Sequence, residues 1–134
     1  MSTLKSTTHP LQTEIHIVQA RHAVRAAAAE NGFSLVDQTK IVTAASELAR
    51  NTIVYGKGGE MQVNVLENGS KRGVELVFTD KGPGIADMKL ALQDGYTTGS
   101  GLGLGLSGAK RLSNEFEIES KPGAGTKITI RRWK

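Results

Sequence analysis

Three groups of residues in this sequence could do chemistry. Glu47 and Asn51 stand four apart in the segment 41–54, so on a helix they share one face. Arg50 and Val54 border that face, and much of the remaining circumference is apolar or small. A carboxylate and a carboxamide on a largely buried helix need partners. Oxygen donors at this spacing suit a hard cation such as Mg2+, which keeps several waters and takes few protein oxygens alongside phosphates. Taken alone, the pair also fits an exposed helical stripe.

Asp80 is the second. It keeps the alternation of Val74, Leu76 and Phe78, which puts it on the core-facing side of a strand. A lone carboxylate there is costly unless it is hydrogen-bonded. Gly82 and Gly84 follow at once. They permit a tight turn and let a flat ligand approach the backbone. An acceptor-only carboxylate in an apolar slot suits the exocyclic amine of an adenine. A strand-ending Asp in a turn has the same local sequence.

The third group is the run from Gly99 to Gly108, in which Gly101, Gly103 and Gly105 alternate with Leu102, Leu104 and Leu106. The run leads into a helix toward Leu112. Open backbone N–H groups at a helix start form a phosphate site; the leucines anchor such a loop and the glycines keep its N–H groups clear. A dinucleotide fingerprint would need a strand directly before the glycines, and Asp94 to Thr98 reads as a loop. There is no P-loop lysine motif. A flexible glycine hinge is the plainer alternative.

The elements that must position these groups are read from periodicity and caps. Residues 1–9 are expected to fray. Residues 11–18, with Thr13, Ile15 and Ile17 alternating, read as a strand, and 19–31 as an Ala-rich helix stopped at Asn31 and Gly32. Ser34 caps a second helix, with Asp37 in the acidic capping-box position, running to about Ile53. Met61, Val63 and Val65 mark one strand and Val74, Leu76 and Phe78 another, joined by a hairpin turn over 67–71. A helix over 105–114 precedes strands 115–120 and 126–133. The order β-α-α-β-β-α-β-β gives an α+β fold, a two-layer α/β sandwich with helices on one face of a mostly antiparallel or mixed sheet.

Composition bounds the alternatives. The 134 residues suit a single domain, because two would each have too small a core. Aromatics are only 4%, so the core must come from Leu, Ile, Val and Ala. The absence of cysteine excludes disulfides, thiolate zinc sites and cysteine nucleophiles. The polar segment from Met1 to Pro10 does not read as a signal peptide, and no stretch approaches the roughly 18 apolar residues of a membrane helix. The formal charge of +4 comes from scattered Lys and Arg, which reads as a mildly basic surface rather than a nucleic-acid site. A cytoplasmic protein, without nucleic-acid or membrane partners, is expected.

The order and spacing of these groups are more specific than any one of them. Glu47-x-x-x-Asn51, Asp80-x-Gly82-x-Gly84, Gly101-x-Gly103-x-Gly105 and Gly125-Thr126 resemble the N, G1 and G2 boxes and closing Gly-Thr of the GHKL ATPase and kinase superfamily, over roughly residues 11–133. That resemblance implies the Bergerat ATP-binding fold, with residues 85–100 as a lid. The wording Ser46 to Asn51, Asp94-Gly95, Gly101 to Leu106 and Gly108 to Leu112 looks like that of the RsbT-like serine/threonine switch kinases of bacterial stressosomes. Members of that family phosphorylate STAS-domain scaffold proteins and then activate a PP2C-type phosphatase.

By that resemblance Asn51 holds Mg2+, Glu47 is the base or orienter for the attacking hydroxyl, Asp80 binds the adenine amine, Gly84 admits the base, and the residues from Gly101 to Leu106 hold the phosphates. Thr126, in phase with Ile128 and Ile130, reaches the same pocket. Some related anti-sigma kinases carry an Arg where this chain has Gly99, so Arg50 and Lys110 become the candidate cations for the γ-phosphate. Two other readings share the fold: an anti-sigma factor kinase that holds a sigma factor, and a nucleotide-dependent binding module without turnover.

Overall fold

The computed structural model describes residues 1–84 and 105–134. Along the described chain run β1 (Ser2–Leu11), α1 (Glu14–Glu30), α2 (Leu35–Val54), β2 (Gly59–Asn68), β3 (Lys71–Asp80), α3 (Gly105–Arg111), β4 (Glu115–Ser120) and β5 (Thr126–Trp133). The expected order of element types holds, but its first two members shift. Residues 2–11 form a strand rather than a frayed end, and 14–30 form one helix rather than a strand and a shorter helix. The cause is visible in burial: Ile17, Ala20, Val24 and Ala28 are buried at helical spacing, whereas Ile15 is exposed. His16 fixes the start of α1, its ring Nδ1 accepting the backbone N–H groups of Gln12 at 2.9 Å and Thr13 at 3.3 Å.

The described strands form one sheet in the order β1-β2-β3-β5-β4, antiparallel at every pairing. Of the mostly antiparallel or mixed sheet expected, the described strands form the antiparallel kind, with no adjacent parallel pair. β3 and β4 point the same way, but β5 lies between them. One sheet face carries Met61, Val63, Val74, Leu76, Phe78, Ile128 and Ile130 into a single core with the buried residues of the three described helices. On α2 these are chiefly Ile41, Val42, Ala44, Ala45, Leu48 and Ala49; the alanines let the helix pack closely.

The opposite sheet face carries a continuous polar row. Ser6, Asn64, Glu75, Arg131 and Glu115 are successive cross-strand partners. Ser6 Oγ donates to Asn64 Oδ1 at 2.7 Å, Asn64 Nδ2 to Glu75 Oε1 at 2.8 Å, and Arg131 to Glu75 at 2.6 Å and Glu115 at 3.2 Å. A one-residue slip of any strand would turn this row into the core, so it fixes register.

Ser34 caps α2 as expected, accepting the Asp37 N–H at 3.2 Å. The Asp37 carboxylate turns to Arg132, 2.8 Å away, and Arg132 also donates to the Leu112 carbonyl at 2.9 Å. This ties the start of α2 to β5 and to the end of α3. The Arg132 hydrogen bond holds the Asp37 carboxyl below its usual 3.8, against an opposing effect of burial. Such a group adds stability that is complete above its unfolded value and is lost as the pH falls through the folded value. Urea denaturation at stepped pH is expected to show the wild type losing stability relative to Asp37→Asn below about pH 4. Parallel curves at all pH values would remove the pair from this role.

Candidate functional site

Asp80 ends β3, opposite Gly59 on β2 and Thr126 on β5. The buried residues Val74, Leu76 and Phe78 precede it on the same face, so the strand delivers a half-buried carboxylate to the end of the core. Asp80 Oδ1 accepts the Gly82 N–H at 2.9 Å, closing a turn on its own side chain. Among the described residues Oδ2 has no hydrogen-bond partner. The turn accounts for one oxygen of Asp80 and leaves the other as an acceptor.

Beside it lies an open cavity of about 630 Å3, lined by Asp80, Ile118, Ser120, Ala124, Gly125 and Thr126 among others. That volume lies in the range of small-molecule sites. Thr126 Oγ1 is 2.9 Å from Ser120 Oγ, which also donates to the Gly125 carbonyl at 3.1 Å. The cavity wall is held by backbone contacts between two turns. The Gly123 N–H donates to the Pro83 carbonyl at 2.6 Å. Gly84, at φ +77°, and Gly125, at φ +85°, press against the carbonyls of Lys121 and Asp80, leaving no room for a Cβ. Gly84 is thus demanded by this turn-to-turn contact.

Glu47 and Asn51 lie on one half-buried face of α2. Among the described residues neither side chain has a hydrogen-bond or ion-pair partner. The Asn51 carbonyl accepts the N–H groups of Tyr55 at 2.9 Å and Gly56 at 3.1 Å, and the loop 55–58 carries the chain from Asn51 to the flank of Asp80. The oxygen pair at 47 and 51 and the acceptor at 80 are therefore two ends of one region. Gly105 opens α3, and Leu106 is buried in the core with Ala109. Gly101, Leu102, Gly103 and Leu104 lie outside the described residues.

Among the described residues no three His, Cys, Asp or Glu side chains cluster to hold a metal. A cation at Asn51 would take few protein oxygens, which fits Mg2+ shared with phosphates better than a dedicated protein cage. Arg50 lies 3.8 Å from Glu14 in an exposed pair, and Lys110 is exposed on α3. Neither is fixed toward Asn51 by a described contact. Sequence reasoning missed Ser120, which shares the phase of Phe116 and Ile118, and the parts played by the loop 55–58 and the turn 121–125, whose signal was their glycines.

Residues 36–134 match the family of histidine kinase-, DNA gyrase B- and HSP90-like ATPases, and the chain belongs to that family, the GHKL superfamily. It is 43% identical to the serine/threonine-protein kinase RsbT of Bacillus subtilis (strain 168), over 92% of both chains. That similarity places it among the RsbT-like serine/threonine-protein kinases. It is 32% identical to the anti-sigma F factor of Thermoanaerobacter sp. (strain X514), over 85% of this chain and 82% of that one. The fold is also similar to part of the solved RsbU and RsbW domains of Rv1364c from Mycobacterium tuberculosis, with a TM-score of 0.63 and 21% identity, covering 97% of this chain and 33% of that one. No described helix is long and apolar enough to cross a membrane.

The wall contacts can be weighed by a paired substitution. Gly123 and Gly125 both have positive φ, but a Cβ at Gly123 meets open space. Gly123→Ala is expected to cost about 1 kcal/mol from backbone strain alone. Gly125→Ala should cost about 3 kcal/mol or more, because strain and overlap combine. Urea denaturation giving equal costs would show that the close approach at Gly125 relaxes.

Proposed function

We propose that this chain binds ATP with its adenine at Asp80 and its phosphates toward α2 and α3, and transfers the γ-phosphoryl group to a serine or threonine of a STAS-domain scaffold protein. It then exchanges that partner for a PP2C-type phosphatase, which it activates. The observation that carries this reading is the joined site. An acceptor at the end of the sheet, unpartnered among the described residues, connects through one short loop to a carboxylate and a carboxamide on α2 that are likewise unpartnered among the described residues. Similarity to RsbT supports the kinase reading.

In this mechanism Asp80 Oδ2 accepts a hydrogen bond from the adenine amine, and Thr126 and Ser120 form the polar edge of the base pocket. The backbone N–H groups of Gly101, Gly103 and Gly105 hold the phosphates, with Leu102, Leu104 and Leu106 as anchors. Asn51 would supply its carboxamide oxygen to Mg2+, which when bound would neutralise phosphate charge. The acceptor hydroxyl oxygen forms the new bond to γ-phosphorus as the bond to the ADP oxygen breaks, and Glu47 orients that hydroxyl and takes its proton. Phosphoryl transfer depends mainly on positioning and charge neutralisation, so both α2 side chains are used where they stand. The lower identity to an anti-sigma F factor keeps a sigma factor as the alternative partner.

Asp80→Asn can present a donor to the adenine amine and is expected to abolish ATP binding in calorimetry; unchanged affinity would sink the adenine assignment. Glu47→Ala should keep ATP binding and lose about 100-fold or more in transfer to a STAS partner. A radiolabel assay with normal rates would take Glu47 out of the mechanism.

A further inference from the structure

Gly56 is buried at the end of α2, between two parts of the proposed base site. Its backbone conformation is ordinary, since it is absent from the positive-φ residues. Conformational freedom therefore does not explain a glycine here. Space does. The three atoms nearest to a Cβ on Gly56 would all belong to Asp80: it would overlap Cγ and lie 2.5 Å from Oδ2 and 2.7 Å from Asp80 Cβ. On the other side, a Cβ on Gly82 would come within 2.8 Å of the Gly56 Cα and carbonyl oxygen. Gly82 is also the residue whose N–H holds Asp80 Oδ1.

Gly56, Asp80 and Gly82 thus form one close-packed stack. The Gly82 N–H fixes one carboxylate oxygen, and the bare Cα of Gly56 is the surface on which the rest of the carboxylate rests. From this geometry we infer that Gly56 is a positioning residue for adenine recognition. It sets where Asp80 presents its open oxygen, and so sets the preference for a purine that carries an exocyclic amine. The same residue reports to α2, because its N–H bonds the carbonyl of Asn51 at 3.1 Å. The inference deepens, and rests on, the adenine reading of Asp80. A hydrogen-bonding acceptor confers selectivity only when its position is held, since a displaced acceptor loses the amine but not the rest of the nucleotide.

The test is Gly56→Ala in the full chain, with calorimetric affinities for ATP and for purine riboside triphosphate, which lacks the amine. Wild-type protein should prefer ATP by about 10-fold or more. In Gly56→Ala that preference should collapse, with ATP weakened to the level of the amine-free analogue and the analogue little changed. A preserved preference, or equal weakening of both nucleotides, overturns the positioning role. A wild-type protein that binds both equally overturns the adenine reading itself, so the two failures are distinguishable.

A stability cycle covers the case in which the added methyl prevents folding. Urea denaturation of Gly56→Ala, Asp80→Ala and the double variant isolates the contact. Truncating Asp80 removes Cγ and Oδ2, two of the three atoms nearest to a Gly56 methyl, and leaves its Cβ at 2.7 Å, so the cost of Gly56→Ala should be smaller in the Asp80→Ala background. Equal cost in both backgrounds overturns the assignment, because it would mean the glycine answers to something other than Asp80.

Discussion

The structure depends on how closely α2 can lie against its neighbours. Ala44, Ala45 and Ala49 are completely buried there, and their small size lets the helix settle between α1, α3 and the sheet. A protein interior fills at near-crystalline density, so larger residues at these positions would displace the helix. That displacement would reach the site directly. Glu47 and Asn51 are carried on the same helix, and the loop after Val54 has only a few residues with which to reach Asp80. Thr52 adds a further contact, its methyl lying 3.0 Å from where a Cβ on Gly59 would be.

Much of this was legible in the sequence, where side-chain burial and backbone form agree. The alternation that ends in Asp80 follows a strand with one buried face. Thr126 and Asp80 are predicted onto the same side and are direct cross-strand partners. The Ser34 cap and the hairpin over 67–71 have local chemical causes that need no tertiary information. β1 was not legible, because it is an edge strand whose side chains are almost all exposed up to Leu11. Backbone pairing to β2 holds it, and pairing leaves no hydrophobic signature. The start of α1 misled for a related reason: Ile15 and Ile17 alternate like a strand, but only Ile17 is buried.

Part of what escaped sequence reasoning is the space that glycines leave empty. Glycine in a loop suggests a turn, and most turns need no more explanation than that. Gly84 and Gly125 are different because each presses against a carbonyl from another segment of the chain. Part of the wall beside Asp80 is therefore made of peptide groups. Peptide walls lack rotamers, so they hold a flat ligand with little conformational entropy to lose.

The three segments that meet around Asp80 come from the end of α2, the end of β3 and the turn before β5, which are far apart along the chain. None of them can make the pocket until the long-range strand pairings between β3 and β5 are complete. Contacts of this kind are slow to form and raise the contact order of the fold. They also make nucleotide binding conditional on the finished sheet, so ligand adds to the stability of the folded state in proportion to RT ln(1 + [L]/Kd). In a cell where ATP is abundant, the nucleotide would then act as part of the folding equilibrium of this chain as well as its phosphoryl donor.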